Sequence, residues 1–242
     1  MILARLSATL LALACLAALP AAAQPAVRPA AVIELFTSQG CASCPPADAL
    51  LTELARRDDV VALAYHVDYW DYMGWPDTFG AEANSNRQRA YASRWGSSRI
   101  YTPQMIVNGE KGVVGSKRHE VTKALAEAAL TLPVTLSVED GVLSVTIAGQ
   151  AGLEEAMVWL VTYLDAAEIA IERGENEGKS ILYSHVVTGR QALGVWEPGA
   201  GAQIRIPVGE ILADRATGMA VIVQQEENGL PGSILGAATY EQ

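Results

Sequence analysis

Two apolar runs separated by a helical pattern constrain the fold of this chain more than any other feature. Residues 31–38 (AVIELFTS) and 60–67 (VVALAYHV) are apolar and rich in β-branched side chains, which indicates buried strands. Between them, Leu50, Leu51 and Leu54 recur at helical spacing. We therefore predict a strand–helix–strand unit in which a right-handed crossover makes the two strands parallel.

The turn between the first strand and the helix carries Cys41 and Cys44 in a C-x-x-C spacing. Unpaired N–H groups at the start of a helix stabilise a thiolate, and a thiol reacts as the thiolate. The two residues between the cysteines let one thiol attack a disulfide and the other resolve the mixed disulfide. Because Cys41 lies nearer the open end of the helix, we predict that it attacks and that Cys44 resolves.

Two other interpretations of this pair stay open. A local disulfide would rigidify the turn, although so short a loop constrains the unfolded chain little. Alternatively, the cysteines are half of a metal site. Structural zinc needs about four ligands, but a soft metal such as copper could use both cysteines with His66 and Met105.

The amino terminus has the layout of a secretory signal peptide. Arg5 precedes an apolar run over residues 6–19, and three alanines follow at 21–23. We predict a signal peptide over residues 1–23 and a mature protein that is periplasmic or secreted in a bacterium. The apolar run is short for a membrane span. An oxidising compartment would permit a disulfide between Cys41 and Cys44.

The charge and motif content exclude several function classes. The formal net charge of −10 argues against a nucleic-acid partner, and no basic amphipathic segment suits an anionic membrane after signal cleavage. We recognise no phosphate-binding loop and no dinucleotide-binding glycine motif, so we predict no cofactor. The expected partners are protein or peptide thiols and disulfides, together with a redox partner protein.

The pattern changes at Pro133. Residues 134–148 (VTLSVEDGVLSVTIA) alternate on both sides of an Asp-Gly pair, which is a strong hairpin signal. Further strand patterns follow, and no long helical pattern appears after about residue 131. This second part predicts an all-β domain of sandwich type.

A second motif lies in residues 102–116 (TPQMIVNGEKGVVGS), where Thr102-Pro103 immediately precedes a strand. Proline is tolerated there, and a cis X–Pro bond is a plausible tight turn. The order of strands, helices and motifs over residues 31–130 resembles the thioredoxin fold. The fuller strings around Cys41 resemble a bacterial exported family of unknown function with a thioredoxin-like domain. The resemblance implies a redox pair facing cis-Pro103, with the backbone of Thr102 holding an extended substrate segment.

Other site candidates follow from position. The loop after the second strand carries Asp68, Tyr69, Trp70 and Trp75, and it emerges beside the cysteine turn. Tyr69 and Trp70 are therefore candidate substrate-binding residues; alternatively, these aromatic side chains only pack the loop.

Glu34 lies inside the first strand. A buried carboxyl has a raised pKa and can carry a proton for Cys44. Thioredoxin has a buried acid one residue nearer to its cysteines, and this difference in spacing could turn Glu34 to the opposite face.

Together these features predict an α/β thioredoxin-like domain followed by a smaller all-β sandwich-like domain. The predicted boundaries are 24–130 and 131–242. The predicted function is an exported thiol–disulfide oxidoreductase acting on protein disulfides. The alternatives are a soft-metal binding module and a non-catalytic interaction protein.

Overall fold

The computed structural model describes residues 28–211 and 216–241 of the chain. The helices are α1 (Pro45–Leu54), α2 (Glu82–Arg94), α3 (Arg118–Ala126) and α4 (Val208–Ile211). The strands are β1 (Ala31–Thr37), β2 (Val60–His66), β3 (Gln104–Val107), β4 (Lys111–Val114), β5 (Thr135–Glu139), β6 (Val142–Ile147), β7 (Ala156–Ala170), β8 (Ser180–Trp196), β9 (Ala202–Pro207), β10 (Gly218–Glu227) and β11 (Leu230–Glu241). The predicted signal peptide at 1–23 lies outside the described residues.

Eight strands form one mixed sheet in the order β11-β10-β7-β8-β2-β1-β3-β4. As predicted, β1 and β2 are parallel and are connected through α1. The two halves of the sheet meet where β2 and β8 pair in parallel, with Ala64 opposite Val186. The remaining three strands form a small antiparallel sheet in the order β5-β6-β9.

The predicted fold class is therefore wrong. Strands from before and after residue 131 belong to the same eight-stranded sheet, and most of the regular structure is β rather than α/β. The sequence pattern predicts pairs of strands that are neighbours in the chain, but it does not show that β2 pairs with β8, which joins the two halves of the sheet. The boundary proposed at residue 131 falls between α3 and β5 and stays a prediction about domains.

Alternate residues of β1 bury opposite faces of the sheet, as the period of two in a strand requires. Ile33 and Leu35 pack in the core that includes Leu51 of α1. Val32 and Phe36 belong to a second core, which includes Tyr91 of α2. The first strand is thus buried on both faces, which explains its nearly continuous apolar sequence.

The small sheet covers the far half of the large one. Leu143 and Val145 of β6 share a buried core with Val158 and Leu160 of β7 and with Trp196. The predicted hairpin between β5 and β6 is confirmed, since their register closes at the Asp-Gly turn. This packing holds the β7–β8 hairpin in place beside the first half of the chain.

The β7–β8 hairpin is unusually long, with strands of 15 and 17 residues. Its pairing extends to Ala170 opposite Ser180, and the connecting residues 171–179 form its end loop. Within the loop, Gly178 N–H donates to the carbonyl of Ile171. This end loop lies against the cysteine turn.

Across the two described ranges, no helix combines the length and the apolar character that crossing a membrane would require.

Candidate functional site at the cysteine turn

Cys41 and Cys44 form a disulfide with an S–S distance of 2.12 Å. The turn follows β1, and Cys44 is the N-cap residue of α1, with prolines in the first helical turn. Those prolines suit positions whose N–H groups would have no partner in the helix. Both cysteines are buried, whereas Ala42 and Ser43 between them are exposed. In this oxidised state the disulfide itself is therefore covered, and the two intervening residues form the exposed part of the turn.

Two further loops meet the cysteine turn. The Thr102–Pro103 peptide bond is cis, as predicted. The Ser43 hydroxyl donates to the carbonyl of Thr102 at 3.5 Å, and it also lies 3.5 Å from Cys41 Sγ. From the loop after β2, Trp70 Nε1 donates to the Thr102 hydroxyl at 2.7 Å. The structure thus brings the predicted residues Cys41, Thr102, Pro103 and Trp70 together.

Tyr69 and Trp75, in the loop after β2, are anchored by hydrogen bonds. Tyr69 donates to Gln88 Oε1 at 3.0 Å, and Trp75 Nε1 donates to Gln39 Oε1 at 2.9 Å. Burial raises the pKa of Tyr69 to about 12, so its phenol stays neutral. Tyr69 and Trp75 therefore shape the loop while remaining partly exposed.

Two exposed aromatic residues next to these loops were not among the sequence-based candidates. Tyr72 is 80% exposed and follows Trp70 by two positions, and Tyr101 is 39% exposed and immediately precedes Thr102. Their sequence signal was present but not distinctive, since tyrosine is common both in loops and in cores.

Glu34 is not next to the disulfide. It points to the face of the sheet opposite α1, where Arg87 Nε of α2 donates to its carboxylate at 2.7 Å and the Tyr91 hydroxyl donates to its other oxygen. Burial raises the pKa of Glu34, but Arg87 and Tyr91 outweigh burial and leave the pKa below its ordinary value. The predicted role as a proton carrier for Cys44 is therefore corrected. The one-residue difference in spacing reverses the face, because side chains alternate along a strand.

A different carboxyl lies under the cysteine turn. Asp48 follows Cys44 by one helical turn, is 3% exposed, and accepts a hydrogen bond from the Thr37 hydroxyl at 2.7 Å. Its second oxygen, Oδ2, has no hydrogen-bond partner within the described ranges. Burial raises the pKa of Asp48 to about 7, against smaller lowering effects of Thr37 and His66. The sequence carried a signal for this residue, namely an acidic side chain on the apolar face of α1.

His66 takes part in a buried polar cluster. Its Nδ1 lies 2.8 Å from Asp77 Oδ2, and the same oxygen accepts from the backbone N–H of Gln39. Burial raises the pKa of Asp77, but His66 and backbone N–H groups outweigh it, so the pKa is lowered overall. Met105, the other suggested soft ligand, is buried in the core beside α1. In the part of the chain that the structure describes, no three His, Cys, Asp or Glu side chains form a group able to hold a metal ion.

The end loop of the β7–β8 hairpin makes hydrogen bonds with the cysteine turn. Asn176 is 1% exposed, and its Nδ2 donates to the carbonyls of Gln39 and Cys41, both at 2.9 Å. Glu175 Oε2 accepts from the backbone N–H of Ala42 at 3.3 Å. Sequence reasoning missed both residues, because more than 130 positions separate them from the cysteines and no local pattern marks the contact.

The fold and the site define a protein with one large mixed sheet and a C-x-x-C disulfide at the start of a helix. Residues 32–224 match the model of the family described as "Protein of unknown function (DUF1223)". The chain belongs to this family.

Two solved structures resemble the chain. One is the crystal structure of a protein from Agrobacterium tumefaciens, with 33% sequence identity and a TM-score of 0.79, covering 90% of this chain and 96% of that one. The other is HBP35 of Porphyromonas gingivalis, with 15% identity and a TM-score of 0.57, covering 90% of this chain and 76% of that one. At this identity the second likeness concerns the fold alone.

These matches correct the predicted resemblance. The family match carries no thioredoxin-fold assignment, and neither structural match supplies one. No curated protein matches the chain.

Proposed function

We propose that this protein is an exported thiol–disulfide oxidoreductase that acts on disulfides of protein or peptide partners. The observation that carries the proposal is the position of the Cys41–Cys44 disulfide. It lies at the start of α1, next to the Thr102–Pro103 loop, with exposed Ala42 and Ser43 between the two cysteines. A dithiol in this position has a stabilised thiolate and a resolving partner.

In the reduced protein, the Cys41 thiolate attacks one sulfur of a partner disulfide. The partner's S–S bond breaks, one partner sulfur leaves as a thiol after taking up a proton, and a mixed disulfide forms on Cys41. Cys44 then attacks Cys41 Sγ, which restores the Cys41–Cys44 bond and releases the second partner sulfur. The same steps in reverse oxidise a partner dithiol.

Cys44 must lose a proton before it attacks, and Asp48 is the acceptor that suits this step. The two residues are four positions apart, so their side chains lie on the same helix face. Cys44 is fully buried and Asp48 nearly so, which limits exchange with solvent. A pKa of about 7 lets the Asp48 carboxyl both take up and release a proton near neutral pH.

The partner segment would lie along the surface made by the loops around Thr102. Tyr101 precedes Thr102 and is exposed, Trp70 is partly exposed and bonded to the Thr102 hydroxyl, and Tyr72 is exposed two positions after Trp70; Thr102 and Pro103 are next to the cysteine turn. Aromatic side chains bind extended polypeptides without demanding one sequence. We therefore expect an unfolded or extended segment carrying a disulfide rather than a small thiol.

The compartment is part of the proposal. The signal-peptide pattern at residues 1–23 favours a periplasmic or secreted protein, and such a compartment allows the disulfide to form.

A covalent trap tests the function. The full chain carrying Cys44→Ser is expressed with its amino terminus intact, and mixed disulfides on Cys41 are identified by non-reducing gels and mass spectrometry. We expect a discrete set of partners that disappears when Cys41→Ser is added. A folded, exported variant that forms no adducts would overturn the proposal.

A further inference from the structure

The end loop of the β7–β8 hairpin is fixed against the cysteine turn by a buried amide. Asn176 Nδ2 holds the carbonyls of Gln39 and Cys41, each at 2.9 Å. The orientation of the amide is set by Lys179, whose Nζ donates to Asn176 Oδ1 at 2.8 Å. Because Asn176 is buried and all these bonds are made, the backbone of the neighbouring residue Glu175 has a defined position beside the turn, from which its exposed side chain reaches the turn.

Glu175 brings a negative charge to the N–H groups that precede α1. Its Oε2 accepts from the N–H of Ala42, the residue directly after Cys41. Backbone N–H groups before a helix of this length stabilise an anion, and a Cys41 thiolate would benefit from them. A carboxylate that uses one of these N–H groups competes with the thiolate and also repels it.

We propose that Glu175 lowers the reduction potential of the Cys41–Cys44 pair and so biases the pair towards reducing partner disulfides. A thiolate that is less stable makes the reduced form of the protein less stable relative to the disulfide. Electrons then pass more readily from Cys41 and Cys44 to a partner. The reduction of partner disulfides rests on the proposed function, whereas the reduction potential is a property of the Cys41–Cys44 pair alone.

The reduction of a partner disulfide by the Cys41–Cys44 dithiol balances in electrons and protons. The dithiol of Cys41 and Cys44 gives two electrons and two protons to a partner disulfide, which leaves as two thiols, while the Cys41–Cys44 bond forms. Another thiol or dithiol reductant, present in the same compartment, must reduce the pair again before the next cycle.

Other ionisable groups also lie around the turn. Below it are Asp48 of α1, His66 of β2, Asp77 of the loop after β2 and Tyr183 of β8. On the loop side is Lys179, which is bound to Asn176. These groups are the same in every variant of the test below, so differences between variants report on the charge at residue 175.

The test changes that charge in graded steps in the full chain, with Glu175→Gln and Glu175→Lys. The matched controls are Glu177→Gln and Glu177→Lys, because Glu177 is exposed in the same loop two residues further on. Two quantities are measured: the pKa of Cys41 from the pH dependence of alkylation, and the equilibrium constant of the pair with glutathione.

For Glu175→Gln we expect a lower Cys41 pKa. The equilibrium constant with glutathione should shift towards the dithiol by about two- to fivefold, which is the size of effect that a single charge at the start of a helix produces. Glu175→Lys should shift both quantities further in the same direction. The Glu177 variants should match the wild type. If Glu175 had only a structural role, the Cys41 pKa and the equilibrium constant would not follow the charge at residue 175 from Glu to Gln to Lys.

The inference is overturned if the Glu175 and Glu177 variants give the same pKa and the same equilibrium constant. That result would leave the proposed function intact, provided that the covalent trap yields partners. Conversely, absence of trapped partners would remove the oxidoreductase function, while the glutathione measurement would still decide the role of Glu175.

Discussion

The side chain of Asn176 donates a hydrogen bond of 2.9 Å to the carbonyl of Cys41, although 135 positions separate the two residues in the chain. A second bond of equal length goes to the carbonyl of Gln39. The turn that carries the disulfide is therefore supported from the opposite half of the large sheet. Its stability and its reactivity should both depend on this amide.

We expect Asn176→Ala to lower the free energy of unfolding by about 1–3 kcal/mol, because two buried carbonyls lose the hydrogen bond from Asn176 and the Cys41 carbonyl keeps only that from the Cys44 N–H. Reduction of the disulfide by a small thiol should also become faster, since the end loop no longer holds the turn. Denaturant unfolding and the rate of reduction measure the two effects. Glu177→Ala, in the same loop, should change neither, and equal effects of both variants would contradict the prediction.

Asp48 should make stability depend on pH. Its pKa is raised from 3.8 to about 7, so the folded protein binds a proton that the unfolded chain has released between these values. Stability therefore falls as pH rises through this window. One pKa unit corresponds to about 1.4 kcal/mol, which limits the loss to about 4 kcal/mol. Asp48→Asn should remove this part of the pH dependence, as measured by unfolding at several pH values.

The same substitution tests the chemistry. In Asp48→Asn the step in which Cys44 displaces a thiol from Cys41 should slow by about 10²-fold or more near pH 7, as expected for loss of a general base. Stopped-flow release of a chromogenic thiol from Cys41 measures this step. Attack by Cys41 on the same disulfide should be far less affected, and equal slowing of both steps would point to a structural role.

Glu34 should be a stability residue. Glu34→Ala leaves Arg87 buried without its partner, so we expect a loss of about 3–5 kcal/mol at neutral pH. The Glu34 pKa is lowered, so the stability it contributes is present above about pH 4.5 and is lost as pH falls further. Unfolding of Glu53→Ala, whose partner Arg118 is exposed, provides the control and should not differ measurably from the wild type.

Trp70 should matter for polypeptide partners more than for folding. Trp70→Phe removes the hydrogen bond to the Thr102 hydroxyl and keeps most of the aromatic surface. We expect a stability loss of about 0.5–1.5 kcal/mol and a higher KM for a disulfide-bearing peptide with kcat little changed. The rate with glutathione should stay the same, and a parallel loss with glutathione would argue that Trp70 does not position the peptide.

Local patterns predicted the parts of the site that are close in sequence. The alternation along β1, the helix after Cys44 and the strand after Pro103 follow from spacing, and the cis bond at Pro103 was expected as a tight turn and from the family resemblance. The face on which Glu34 lies was not evident, because a single residue of spacing reverses the orientation of every side chain in a strand.

The remaining features depend on contacts between distant segments. The two halves of the large sheet are joined where Ala64 pairs with Val186, and neither residue differs in character from its apolar neighbours. Asn176 and Glu175 look like ordinary loop residues in a Gly-rich turn. Asp48 is recognisable in the sequence as an acidic residue on the apolar face of α1. The surroundings that act on its carboxyl include Thr37 and His66, which come close to it only in the folded sheet.

The support of the cysteine turn by the end loop has a consequence for biosynthesis. The chain is made from its amino terminus, so Cys41 and Cys44 are present well before residue 176 has been added. Until the β7–β8 hairpin is complete, the turn lacks the amide of Asn176 and the charge of Glu175. On the proposals made above, the nascent cysteines should therefore differ in reactivity from those of the finished protein, whose turn is complete only once the last third of the chain has been added.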